Sequence, residues 1–359
     1  MSATRMRLVA APRVGRLQSG ARDLITDVSG VRVGHVTLAD GAIQTGVTVV
    51  IPHERDEFLY KTPAGVTIIN GFGKSAGLMQ VQELGVLETA IALTNTFSVG
   101  TVAQAQIRQA VSRHPQIGRD WATINPLVFE CNDGYLNDIQ AMAVSTDDYA
   151  LAYGNAAVDF AQGSVGAGRG MSSFDLKGGI GSASRVAVLG DGQRHVLGVL
   201  VLSNFGRRSN LTVAGRALGR HITTDDCANA PEKGSIIMLI ATDAPLDVRQ
   251  LERLSRRAAA ALARMGSVYG HGSGDIALAF SSAYQIPHSP ELPMPAVRML
   301  HESHMDPLFD ACAEAIEQAI INALWAASPV TGRDGHHRRA LPDALPQWRD
   351  MLGTASAEN

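Results

Sequence analysis

The chain has 359 residues, 31 Lys and Arg against 34 Asp and Glu, and a formal net charge of −3. That balance leaves no basic footprint for nucleic acid, and no apolar run of about 18 residues is present to span a membrane. The three cysteines, Cys131, Cys227 and Cys312, form no CxxC pair, so the reading is buried thiols, with no disulfide framework, metal or cofactor. The first 22 residues carry arginines but no apolar h-region, so they read as a flexible leader on a cytoplasmic protein. In chain order, "VRVGHVTL" sets Val31, Val33 and Val36 between turn residues as a strand. "GAIQTGVTVVIP" is a second strand, and "PAGVTIINGFGKSAGL" a glycine-punctuated strand and loop. The apolar spacing of "MQVQELGVLETAIAL" and of "VAQAQIRQAVSRH" predicts two helices. "SRVAVLGDGQRHVLGVLVLSN" reads as two apolar strands about an Asp191-Gly192 turn. Ile236 to Thr242 is a further strand. Asp247 caps a helix over "VRQLERLSRRAAAALARM" that Gly266 stops. "DIALAFSS" is the next strand, and Asp306-Pro307 opens a long last helix. The runs Val199–Leu202 and Ile236–Ile240 lack alternation, which predicts strands buried on both faces. Strands with helices outside them make a layered α/β protein. Residues 23–342 read as one folded domain and 343–359 as a polar tail.

Common motifs do not fit. "GSVGAGRGMSS" is not GxGxxG between strand and helix, and "GFGKS" lacks the first glycine of a P-loop. "HESHM" is not HExxH, and "GHGSGD" puts His271 and Asp275 where a GxSxG elbow needs glycine. His271 remains a candidate base for Ser273.

Gly234-Ser235 stands apart. A small hydroxyl residue opens an apolar strand, preceded by the least hindered residue. One chemistry uses that pattern: the hydroxyl attacks the preceding carbonyl, an N→O acyl shift gives an ester, and water frees a new N-terminus. The product carries nucleophile and α-amine on one residue, the amine titrating near pH ~7.7–8.0 and able to serve as base.

Eight blocks in order carry a resemblance: "ITDVSGVRVGH", "ALTNTFSVG", "ECNDGYLND", "GSVGAGRGMSSFDLKGGIGSASR", "GVLVLSNFG", "GSIIMLIATDAPL", "GSGDIALAFS" and "TGRDGHHRRALP". From Ile25 to Pro342 the chain resembles the self-cleaving L-aminopeptidase/D-esterase and β-aminopeptidase group. More distantly it is similar to the nylon-oligomer hydrolases, and ornithine acetyltransferase shares the self-cleaving fold. The resemblance implies a four-layer αββα sandwich. It implies cleavage between Gly234 and Ser235 into an α chain (1–234) and a β chain (235–359), and a homo-oligomer, commonly a tetramer of such pairs. The substrate it implies is a short peptide, amide or ester with a free amine. It places the nucleophile on Ser235, a second serine and its acid on Ser273 and Asp275, and the oxyanion donor on Asn204. A substrate-side tyrosine falls on Tyr135 and a lysine on Lys177. Asp275 would orient Ser273 and meet the substrate ammonium. Asp275 stands where relatives often carry Glu, His271 where they carry Asn, and Cys131 where a small polar residue is expected. Two alternatives use the same fold: an amidase or acyltransferase for non-peptide amides, and an unprocessed scaffold.

Overall fold

The computed structural model describes residues 10–223 and 233–353; Cys227 lies outside them. The strands in chain order are β1 (Arg32–Asp40), β2 (Ile43–Ile51), β3 (Tyr60–Gly71), β4 (Val86–Leu87), β5 (Ile91–Asn95), β6 (Leu127–Cys131), β7 (Ser172–Ser173), β8 (Leu176–Lys177), β9 (Gly179–Val188), β10 (Arg194–Asn204), β11 (Lys233–Thr242), β12 (Gly272–Ser281) and β13 (Ile286–Pro287). The helices are α1 (Leu78–Leu84), α2 (Val99–Arg113), α3 (Thr146–Gly154), α4 (Val248–Ser255), α5 (Ala258–Arg264), α6 (Asp306–Trp325), α7 (Leu341–Ala344) and α8 (Trp348–Leu352).

Side-chain alternation along the strands sorts the apolar residues into layers. Ile237 and Leu239 of β11, Leu200 and Leu202 of β10, and Ile276 and Leu278 of β12 share one core with Leu93 and Phe129 of β5 and β6. Their neighbours Ile236, Met238, Val199, Val201 and Ala277 face a second core with residues of α4, α5 and α6. On the far side, Val47, Val49, Ala92 and Val128 meet α2 and α3 through Val102 and Tyr149. Two sheets therefore lie face to face between two helical layers, the αββα sandwich expected. The smaller sheet runs β1-β2-β5-β6 and the larger β13-β3-β12-β11-β10-β9, with β4 on β3. The runs Val199–Leu202 and Ile236–Ile240 are wholly buried, and Gly192 takes the hairpin turn at φ 84°.

Four readings are corrected. The helix expected over "MQVQELGVLETAIAL" is α1 alone; Gly85 at φ 66° caps it, and the chain continues as β4 and β5. The helix from Val248 divides into α4 and α5. The Ser255 hydroxyl donates to the Glu252 carbonyl (2.9 Å) and pairs with Thr67 Oγ1 (2.6 Å), which competes with the helix ladder. Residues 10–22 are not a loose leader. The Val14 amide donates to Gln318 Oε1 (2.8 Å) and the Arg16 and Leu17 amides to the Glu314 carboxylate, while buried Arg185 holds the Val14 carbonyl (2.9 Å). The tail from 343 is not simply polar: Leu345 and Trp348 are buried, and Trp348 meets Trp325 edge-on at 5.2 Å. Among the described residues, no helix is long and apolar enough to cross a membrane.

Candidate active site

The site is assembled by strand pairing. β11 and β12 are parallel, joined by the α4–α5 crossover, so their N-terminal ends lie together. Gly234 is opposite Ser273, Ser235 opposite Gly274, and Ile236 opposite Asp275. β10 runs antiparallel to β11, which brings its C-terminal residue Asn204 opposite Ser235. Three strands thus deliver Ser235, Ser273, Asp275 and Asn204 to one end of the large sheet, and all four side chains are buried.

The Gly274 amide donates to Ser235 Oγ at 3.1 Å. The Ser273 hydroxyl donates to Asp275 Oδ1 at 2.5 Å. The His271 ring lies 5.9 Å from that of Phe72, and among the described residues no side-chain hydrogen bond joins it to Ser273. The Asn204 amide is gripped at both ends: Oδ1 accepts from the Ser172 amide (2.8 Å) and Nδ2 donates to the Asn132 carbonyl (3.0 Å). Flipping it would set like groups against like, so its orientation is fixed. A second Nδ2 hydrogen is left for another acceptor.

Two glycines are required by close approach. A Cβ at Gly234 would sit 2.1 Å from the Asn204 carbonyl oxygen. One at Gly274 would sit 3.0 Å from the Gly73 Cα and the Phe72 carbonyl oxygen, where the chain after β3 crosses the site. Any side chain at 234 would push β10 off β11 at the point where Asn204 and Ser235 are paired.

Lys177 lies in the site's support. Its ammonium donates to the carbonyls of Gly168 (2.9 Å), Met171 (2.8 Å) and Gly178 (2.8 Å), and it is fully buried. All three of its hydrogens are spent on one loop, which corrects the expectation that it binds substrate. Burial lowers its pKa well below the lysine range. Tyr135 is half-buried; its ring stacks on His336 at 4.5 Å and lies 3.8 Å from the Arg338 guanidinium, while its carbonyl accepts from His336 (2.7 Å). Those contacts tie Tyr135 to the segment after α6, and among the described residues no hydrogen bond joins it to Ser235. Cys131 is buried, its Sγ 3.7 Å from the Leu202 carbonyl. Burial, then the carboxylates Glu130 and Asp275, raise its pKa well above the thiol range, which disqualifies it as a nucleophile.

Sequence reasoning missed Glu130. It is nearly fully buried on β6, accepts from the Lys74 amide (2.7 Å) and from the Thr96 hydroxyl, and acts on Cys131 together with Asp275. Its partners come from two distant loops, so the run "LVFEC" holds no local sign of them. Phe72, half exposed, and Lys74, whose ammonium lies 4.1 Å from the Phe72 ring centroid, stand on the same crossing segment.

A family model described as Peptidase family S58 matches residues 23–338. The chain is 37% identical over 366 aligned residues to a β-peptidyl aminopeptidase of Sphingosinicella microcystinivorans, covering 95% of this chain and 90% of that one. Among solved structures it is similar to a Burkholderia sp. β-aminopeptidase, with TM-score 0.84 and 40% identity over 93% of this chain and 96% of the other. It is also similar to the L-aminopeptidase D-Ala-esterase/amidase of Ochrobactrum anthropi, with TM-score 0.86 and 34% identity over 94% and 97%. That structure is described as a prototype for the serine aminopeptidases and a variant of the Ntn hydrolase fold.

Proposed function

The chain belongs to Peptidase family S58 and is an aminopeptidase; from that membership we propose that it matures by cutting itself before Ser235 and then works through that residue. The Ser235 hydroxyl attacks the Gly234 carbonyl, the acyl group moves from nitrogen to oxygen, and water hydrolyses the ester. The freed α-amine then takes the hydroxyl proton during attack on a substrate carbonyl. The remaining Nδ2 hydrogen of Asn204 meets the developing oxyanion, a charge that exists only in the transition state. The proton passes to the leaving amine, and water releases the acyl group from Ser235. The buried pair Ser273–Asp275 faces this exchange from β12. Glu130 and Asp275 supply negative charge for the substrate's ammonium.

The substrate class is a short peptide, amide or ester with a free amine, and β-amino acid amides belong in the first panel given what the relatives are called. The observation that carries the proposal is the pairing of Ser235 with Asn204 on one side and Gly274 on the other. Mass spectrometry and N-terminal sequencing of purified protein test it. Two fragments are expected, about two-thirds and one-third of the mass, the smaller beginning Ser-Ile-Ile-Met. A single uncut chain that still hydrolyses aminoacyl p-nitroanilides would refute it.

We also propose a homo-oligomer. Met79 and Leu84 of α1 and Ile68 of β3 are exposed apolar side chains that a second copy would cover. Sedimentation as a monomer at micromolar concentration would refute this.

A further inference from the structure

Asn204 can serve an oxyanion only while its amide stays aimed, and its two anchors lie outside the strands of the two main sheets. One anchor, the Ser172 amide, sits on the loop that Lys177 ties together. The other, the Asn132 carbonyl, sits on the loop after β6. The next residue of that loop, Asp133, turns inward and is 1% exposed. Its Oδ1 accepts from Asn137 Nδ2 at 3.0 Å, and its carbonyl accepts from the Leu136 and Asn137 amides at 3.1 and 3.0 Å. Asn137 Oδ1 accepts from the Gln44 amide (2.9 Å), and Gln44 Oε1 from Arg169 Nε (2.6 Å). Asp133 is therefore the centre of a relay joining both loops to β2. The Thr45 side chain also hydrogen-bonds to the carboxyl, which is almost wholly buried. A carboxylate in that state burdens the fold, so the loop's stiffness, not stability, is what its charge-assisted bonds supply.

We propose that Asp133 is a positioning residue that acts through the Asn132 carbonyl to hold the Asn204 amide in register with the Ser235 nucleophile. Burial, opposed by Thr45 and Asn137, raises its carboxyl to about 7. The inference rests on the proposed Ser235 chemistry and adds a residue to its support.

A double-mutant cycle tests it, with kcat and KM measured per processed chain for Asp133→Ala, Asn204→Ala and the double variant. Asp133→Ala is expected to lower kcat about tenfold to a hundredfold with KM within about twofold, the scale of a small misplacement of a catalytic group. On the Asn204→Ala background the same change should alter kcat by less than about twofold, because nothing is left to position. A merely structural residue would cost the same factor on both backgrounds, and that result would overturn the proposal, as would an unchanged kcat. Should Asp133→Ala fail to fold, Asp133→Asn carries the same cycle. If wild-type protein turns over no amine-bearing substrate, the Ser235 reading falls and this inference with it. If wild type is active and Asn204→Ala impairs it, the cycle judges Asp133 alone.

Discussion

The middle and the N-terminal end of β11 are buried to the same degree but held by different forces. In the middle, Ile237 and Leu239 face the inter-sheet core while Ile236 and Met238 face the helices, and beyond the strand ladders the side chains act only by packing. At the end, Ser235 takes an amide hydrogen from Gly274 and lies beside Asn204, whose amide is gripped twice. Burial stabilises the first region through removed apolar surface. In the second it lowers the local dielectric, so that a few dipoles count for more. The apolar centre is thus the rigid mount, and the polar end is the part proposed to react.

Substitutions should separate the two. Ser235→Ala is expected to abolish scission and turnover altogether while leaving the melting temperature of the uncut chain near that of a wild-type precursor. A variant that still splits at 234/235 on a gel would mean the reactive group lies elsewhere. Next in size, Asn204→Ala should lower kcat by about 10²–10³ with little change in KM. Steady-state kinetics reading the reverse pattern would place Asn204 in substrate binding. Leu239→Ala should destabilise the fold by about 2–5 kcal/mol in denaturant unfolding, while the folded fraction still processes itself. Loss of processing in fully folded Leu239→Ala would break the division between mount and site.

The smallest effect lies away from both regions. Burial lowers the pKa of His35 to about 4, with the Ala161 carbonyl pulling the other way. A histidine whose folded pKa is depressed contributes stability that is full above its ordinary 6.5 and is lost as pH falls from there to about 4. His35→Gln should therefore flatten that loss by on the order of 1–3 kcal/mol. Unfolding free energies at pH 7 and pH 4 would show it, and equal pH dependence in both proteins would exclude His35 as the source. Asp133, with its carboxyl raised, works in the opposite direction throughout this range, but it is common to both proteins and cancels.

What could be read from the residues was what depends on neighbours along the chain. Unalternating runs marked β10 and β11 as doubly buried, Asp191-Gly192 marked the hairpin, and Gly234-Ser235 stood out because glycine and a hydroxyl abut an apolar run. The layered class followed from the strand and helix periods, whereas the αββα arrangement came with the resemblance. The missing parts depend on contacts distant in sequence. Lys177 reads as a substrate ligand until Gly168 and Met171 are seen to fold back over it. Glu130 is hidden in an apolar strand because its partners Lys74 and Thr96 come from other loops. Residues 10–22 look unstructured because the acceptors of their amides, Glu314 and Gln318, lie on α6.

The order of the large sheet has one more effect. Scission before Ser235 would leave β3 and β10 on one fragment and β11 and β12 on the other, yet β11 and β12 sit between β3 and β10. The fragments would be dovetailed, with residues 10–22 of the first also clasping α6 of the second. Neither could slide out without tearing two strand interfaces at once. The uncut chain refolds as a unimolecular event, whereas a matured molecule, once denatured, must find its other half by diffusion. Its recovery would then depend on concentration, which would make the proposed cut a one-way step in the life of the protein.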